Sequence, residues 1–214
     1  MTEQKIWETI LQRTGDEIFT AALMGNMKAE SALRGNNLQN SYEKKLGYTD
    51  ETYTKAIDQH RYTGNQFATD HAGYGLCQWT SSGRKNNMYN LWINYDPACS
   101  IGDEKFQIDF CVCELQTSYK EIWNKRKSYL TIRAATADIL RKYERPADQS
   151  DANVDRRTAY AQAYYDAYAK ENHSIPDTVK LISQIKSVMD QIDCANGIMD
   201  ECMEKLEHIM EDLV

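Results

Sequence analysis

Proline is scarce in the 214 residues, with 3 in all, and glycine is held to 10. Chain breakers at that level exclude a linker-dominated or collagen-like chain and leave room for helices. No apolar run approaches the ~20 residues that span a bilayer. The start, Met1-Thr2-Glu3-Gln4-Lys5, also lacks the basic and apolar segments of a secretion signal. The expectation is a soluble product made in the cytoplasm, without membrane insertion. Basic charge is short too, at 25 Lys and Arg against 32 Asp and Glu, a net charge of -7. Affinity for a phosphate backbone comes from neutralising phosphates with cations, so no nucleic-acid partner is expected. Cys77, Cys99, Cys111, Cys113, Cys194 and Cys202 form no C-x-x-C pair and have no His at zinc spacing. They are expected to be buried free thiols, with no metal and no cofactor.

What the chain does have is apolar residues recurring at helical rather than alternating spacing, which predicts a mainly α protein. Its length suits one core and one attachment. The boundary is expected at residues 173–176, giving a domain over 1–173 and a helical tail over 174–214. Helices are expected near 3–13, from the cap residue Asp16 to Leu33, from Leu76 or Ser81 to Asn94, over 103–123, near 131–143 and over 152–171. Residues 36–72 read as a polar insertion rich in Tyr, Asn and Thr, with only a weak helical signal over 50–59. So long an insertion is usually functional or disordered. In the tail, Ile182, Ile185, Met189, Ile192, Asn196, Met199, Met203, Leu206, Met210 and Leu213 alternate at steps of 3 and 4. That is a heptad seam with a polar Asn196 able to fix register, and it predicts a homo-oligomer joined through residues 177–214. A single helix folded back on the domain is the competing arrangement.

One carboxyl stands out. On the second expected helix, Glu30 falls between Phe19, Leu23 and Met27 on one side and Asn26 and Leu33 on the other. An apolar wall there withdraws water and disfavours the charged form, as a general acid requires. The competing expectation is a structural ion pair with an arginine such as Arg34, Arg61 or Arg84.

The segment Met24-Gly25-Asn26-Met27-Lys28-Ala29-Glu30-Ser31 resembles the Glu-Ser motif of the goose-type lysozyme and lytic transglycosylase superfamily. Downstream, Gly73-Tyr74-Gly75-Leu76-Cys77-Gln78-Trp79 resembles its Gly-x-Gly-Leu-x-Gln turn. Followed by Gln107-x-Asp109-Phe110, Glu114-Leu115 and Tyr143-Glu144-Arg145-Pro146, the set is similar to the phage tail lysozyme family over residues 4–170. The resemblance implies a lysozyme-like helical domain that cleaves the MurNAc-GlcNAc β-1,4 bond of peptidoglycan glycan strands, as muramidase or lytic transglycosylase. It implies Glu30 as proton donor and aligns Asp70 with a water-positioning carboxylate. Inverting hydrolysis needs such a second carboxylate, whereas attack by the sugar's own C6 hydroxyl gives an anhydro product instead. The Ala-Tyr-Asn run of lytic transglycosylases is not plainly present.

Around Glu30, the resemblance suggests Ser31, Tyr74, Gly75, Gln78, Trp79 and Tyr143 as substrate-binding residues. Gly75 suits a tight turn and close approach, and Gln78 offers donor and acceptor together. Tyr74 and Trp79 have faces suited to sugar rings or to a core. Tyr42, Tyr48, Tyr53 and Tyr62 are weaker candidates for a glycan groove, and Glu144 beside Arg145 is expected in a structural ion pair. An acidic enzyme on an anionic wall lacks long-range steering, so capture falls to a local groove or to multivalent display. Action at the wall, as a virion component or a released lysin, fits these features. A lysozyme-like adaptor that binds wall glycan without cutting is the alternative, and a cysteine peptidase built on Cys77 and His71 would need a helix-start Cys and an orienting Asn or Asp.

Overall fold

Helix α1 (Glu3–Thr14) opens the chain with the Thr2 side chain accepting from the Lys5 N–H, and ends at Gly15 in the left-handed conformation. The structure, a computed structural model, describes residues 1–169, and the expected seam over 182–213 lies outside them. Helix α2 (Glu17–Ser31) starts where Asp16 accepts from the Phe19 N–H. Every residue from Ile18 to Met27 is buried, so α2 is the central rod and not a one-sided surface helix.

Its neighbours are set by small residues. A Cβ built on Gly25 would lie 2.6 Å from the Arg157 carbonyl oxygen and 2.7 Å from the Ala161 Cβ. Glycine there lets α10 (Asp151–Tyr168) lie directly against α2. Gly25→Ala is therefore expected to push α10 outward and cost about 1–3 kcal/mol in urea unfolding, as overpacking of a dense core does. A loss below about 0.5 kcal/mol would mean that the two helices have slack.

The stretch expected as a polar insertion is folded. It forms α3 (Asn40–Leu46), α4 (Asp50–Asp58) and α5 (Gly64–Thr69). Capping boxes at Thr49 with Thr52 and at Thr63 with Gln66 start α4 and α5. Tyr53, Ile57, Tyr62 and Phe67 from this region are core residues. Tyr53 packs its ring 5.2 Å from Tyr62 and 5.4 Å from Tyr74, which removes both Tyr53 and Tyr62 from the expected glycan groove.

Helix α6 (Ser82–Trp92) begins after the turn, and the helix expected over 103–123 is two, α7 (Glu104–Thr117) and α8 (Lys120–Lys125). Helix α9 (Ile132–Asp138) passes into a π-helical turn, Ile139–Glu144, that closes on Arg145 in the left-handed region. Such wide turns recur at functional sites. Among the thiols, Cys77 and Cys111 are buried as expected, whereas Cys99 is half-buried and Cys113 exposed. No helix among the described residues is long and apolar enough to cross a membrane.

Candidate active site

Helix α2 ends where the chemistry begins. Its last residue, Ser31, donates from Oγ to the Met27 carbonyl at 3.2 Å and to the Leu76 carbonyl at 3.0 Å, tying the helix end to the glycine turn. The turn is a closed loop: Tyr74 and Trp79 exchange backbone hydrogen bonds at 3.2 and 3.0 Å around Gly75–Gln78. Gly75 sits at φ +76, where a Cβ would lie 2.4 Å from the Gln107 Oε1, so the close approach here is to a buried glutamine. Gln107 clamps the whole corner, accepting from the Leu76 N–H at 2.8 Å and donating to the Gly35 and Ile101 carbonyls at 2.7 and 2.9 Å.

Against this corner lies a cleft of about 570 Å³ lined by Glu30, Gln39, Cys77, Gln78, Thr80, Ser81, Arg84, Tyr119, Tyr143 and the segment Glu144–Ala147. Glu30 and Gln78 also face an adjoining pocket with Lys28, Asn37 and Asn40. Both hollows are open, and the first is lined mainly by polar groups.

The surroundings of Glu30 differ from the expected apolar wall. Its carboxylate accepts from the Arg157 Nη2 at 2.6 Å, and its side chain is 17% exposed. Arg157 is itself buried and held by the Asn26 Oδ1 at 3.2 Å and the Asn153 Oδ1 at 3.4 Å. Thus Glu30 is both ion-paired and turned to the cleft. The arginines anticipated as partners act elsewhere: Arg34 pairs with Asp50 at 2.9 Å, and Arg84 makes a two-pronged pair with Glu114 at 2.7 Å on both arms.

Glu114 is the hub under the cleft floor. Besides Arg84, it accepts from the Trp79 Nε1 at 2.8 Å and the Tyr143 hydroxyl at 2.7 Å. Trp79 is consequently a core residue, 0% exposed and packed on Phe110 with ring centroids 5.2 Å apart. Tyr74 is equally buried, its hydroxyl sharing a 2.7 Å bond with Thr54. Neither presents a face to a sugar, because each indole or phenol polar atom already has a buried partner. Tyr143 lines the cleft, yet its hydroxyl serves Glu114 and not Glu30. Gln78 stays in the wall, with Nε2 donating to the Asn37 carbonyl at 3.0 Å.

Asp70, expected as the water-positioning carboxylate, is instead buried outside the cleft. Its side chain is 3% exposed, bonded to the fully buried Lys85 at 2.5 Å, and it accepts the Tyr53 hydroxyl, the Tyr62 hydroxyl at 3.3 Å and the Ala72 N–H at 2.9 Å. It is not among the residues lining either hollow that Glu30 faces. Burial and the nearby Asp70 charge push both phenols up from their ordinary range, so they remain donors. Burial pulls Lys85 down, opposed by Asp70. This is a closed structural network beside the cleft.

The second carboxyl in the cleft is Glu144, at the end of the π-helical turn. In place of the expected ion pair, its Oε1 is buried with no hydrogen-bond partner among the described residues. Burial first, then the charge of Glu30, pushes its carboxyl up to about 8, with Arg84, Arg157 and a hydrogen bond from Cys77 opposing. Because the folded value lies above the ordinary 4.5, the folded chain holds an extra proton between those limits, and stability falls as pH rises through that window. Melting temperature is expected to decline from pH 5 to 8 in the wild type and to decline less in Glu144→Gln, which cannot ionise. Parallel curves would remove Glu144 as the source. Sequence reasoning passed over Arg157 and Lys85, since nothing local marks a cation whose partner lies far along the chain.

A mainly helical domain whose central helix ends in a carboxyl facing an open cleft has the make-up of a lysozyme-like helical domain. The family model for phage tail lysozyme matches residues 1–168, and the chain belongs to that family. No curated protein and no solved structure matches the chain. Membership gives it a lysozyme-like, peptidoglycan-related function.

Proposed function

We propose that the chain is a peptidoglycan glycosidase cutting the MurNAc-GlcNAc β-1,4 bond, with Glu30 as the group that protonates the leaving oxygen. The observation that carries this is the position of Glu30: the end of a buried, rigid helix, side chain turned into the cleft, shared between both adjoining hollows. A glycosidic oxygen leaves poorly until protonated, so one carboxyl held on a rigid element at the middle of a groove is the minimum equipment. Arg157 holds that carboxyl in place before substrate arrives.

Asp70, tied to Lys85, is not proposed as the water-positioning group. Attack on the sugar carbon is then by a water held in the cleft or by the C6 hydroxyl. Mass spectrometry of the muropeptides released from purified walls distinguishes them: reducing ends mean hydrolysis, anhydro ends mean transglycosylation, and release of neither sinks the glycosidase reading. The Glu30–Arg157 pair also favours a second reading, an adaptor that grips wall glycan without cutting. Binding to walls with no loss of turbidity would select it.

The site of action proposed is the bacterial wall, reached as part of a virion or as a released lysin. The tail over 177–214 is proposed as the oligomerising segment, its seam read from sequence. Deleting it is expected to lower the mass in light scattering to that of a smaller assembly or a monomer. An unchanged number of subunits would refute the coiled coil.

A further inference from the structure

We propose that Arg145 lets the cleft tell muramic-acid strands from uncharged glycans: its guanidinium pairs with a carboxylate on the substrate's lactyl arm, borne by the stem peptide or left bare where that peptide is missing. The proposal rests on the glycosidase reading and deepens it by naming what the site recognises besides sugar rings. Among the described residues, Arg145 is the cation left free at the site. Four cationic side chains line the two hollows that Glu30 faces, Lys28 and Arg34 in one and Arg84 and Arg145 in the other. Lys28 is held by Glu3 at 3.1 Å, Arg34 by Asp50 at 2.9 Å and Arg84 by Glu114 at 2.7 Å. The Arg145 side chain is exposed and has no ion pair or hydrogen bond among the described residues.

The acids of the same cleft and segment do not answer it. Glu30 is taken by Arg157 at 2.6 Å, and Asp148 accepts from the Ser150 N–H at 3.0 Å. Burial, then the charge of Glu30, pushes the Glu144 carboxyl up to about 8, so near neutral pH it is mostly uncharged. An incoming carboxylate therefore meets one open positive charge. With a net charge of -7 the chain offers an anionic wall no general attraction, and a fixed local cation is what can hold such a group.

The backbone supports the same assignment. Arg145 stands at φ 53 and ψ 50, which an arginine rarely adopts, and it precedes Pro146, a neighbour that favours extended backbone in the residue before it. Its N–H donates to the Leu140 carbonyl at 2.7 Å, closing the wide turn on Ile139, Leu140 and Tyr143, all fully buried. A glycine would sit there without strain. Such strain persists where the surroundings impose it and gathers at ligand sites, so an arginine kept there on a buried base is a side chain the site uses.

The chemistry of the partner follows from the substrate. Sugar hydroxyls and N-acetyl groups are neutral, so the glycan backbone gives a guanidinium no charge to pair with. The lactyl ether of muramic acid does, because its carboxyl is either amide-linked to a peptide with carboxylates of its own or free in stripped strands. A planar guanidinium takes a carboxylate through two parallel N–H bonds, which a lysine cannot copy. Chitin-like strands lack the lactyl arm and have nothing to offer it.

The test is calorimetric binding to the full chain of three soluble probes: glycan strands with stem peptides, the same strands stripped by an amidase, and a chitin tetrasaccharide. Wild type is expected to bind a carboxylate-bearing strand at least about tenfold more tightly than the chitin probe. Arg145→Gln should lose that margin with its affinity for the chitin probe unchanged, and Arg145→Lys should keep part of it. A preference for intact strands assigns the carboxylate to the peptide, and a preference for stripped strands assigns it to the lactyl group. Arg145→Gly, which relieves the backbone, is expected to lose the margin yet melt no lower than the wild type. Equal binding of all three probes by the wild type, or binding of none, overturns the proposal, as does a margin that survives in Arg145→Gln. A loss that falls alike on all three probes marks a structural arginine and overturns it too. Wild-type protein that shows the margin but releases no muropeptide from walls leaves the recognition standing and removes only the glycosidase reading.

Discussion

Glu30→Gln is expected to slow clearing of purified peptidoglycan by about 10²–10⁴-fold, the usual contribution of a positioned general acid. The substitution is nearly isosteric and its amide oxygen can still accept from Arg157, so the pairing geometry at 2.6 Å keeps a partner and the fold should persist. Far-ultraviolet circular dichroism and the melting transition are the controls. The loss should appear in kcat more than in KM, because only the transition state needs the proton. Equal clearing by variant and wild type would remove Glu30 from the chemistry, whatever the cleft then does.

Lys85→Met should be the most destabilising of the substitutions considered, by about 3–5 kcal/mol, because it strands a charge. Lys85 is 0% exposed and Asp70 3% exposed, with the ammonium also donating to the Ala72 carbonyl at 2.9 Å. Removing the cation leaves the Asp70 carboxylate with only phenol and backbone donors in an interior that solvates it poorly. Urea unfolding measures the effect, and a change under about 1 kcal/mol would show that the network is wetter and looser than described. Asp70→Asn belongs to the same series. It should lower stability, with clearing by the remaining folded protein close to wild type at low temperature. Loss of clearing with stability intact would return Asp70 to a catalytic role.

Legibility in the sequence followed the range of the interactions. Helices α1 and α2 were readable because caps and periodicity are local: Thr2 and Asp16 bond within three residues of themselves. The junction of Glu30 and Ser31 with the Gly73–Trp79 turn was readable as a motif, and Ser31 does bond that turn through Leu76. What the motif did not convey was which of its members face solvent. Tyr74 and Trp79 have polar tips that pass equally for sugar contacts or satisfied core groups, and the choice was made by Thr54 and Glu114, 20 and 35 residues away.

The partner of Glu30 was less accessible still. Arg157 lies 127 residues downstream, and its approach depends on Gly25 having no side chain. Asp70 misled for a related reason, since Lys85 looks like an ordinary surface residue of a helix start until α5 and the glycine turn close over it. The tyrosines between residues 36 and 72 suggested a polar groove because their neighbours are polar. Tyr48, Tyr53 and Tyr62 instead pack ring against ring, edge-on or tilted, as part of the core or against it, while Tyr42 lies beside Lys45 at its margin.

The central claim is that a glycosidic bond lies across the cleft with its oxygen at the side chain of residue 30. A crystal structure of the Glu30→Gln variant with a peptidoglycan fragment bound tests this directly. The account predicts the scissile oxygen at about 2.6–3.2 Å from that side chain, between the Gln78 wall and the Tyr143–Pro146 segment. Sugar density in another hollow, with the cleft at Glu30 empty, would contradict it.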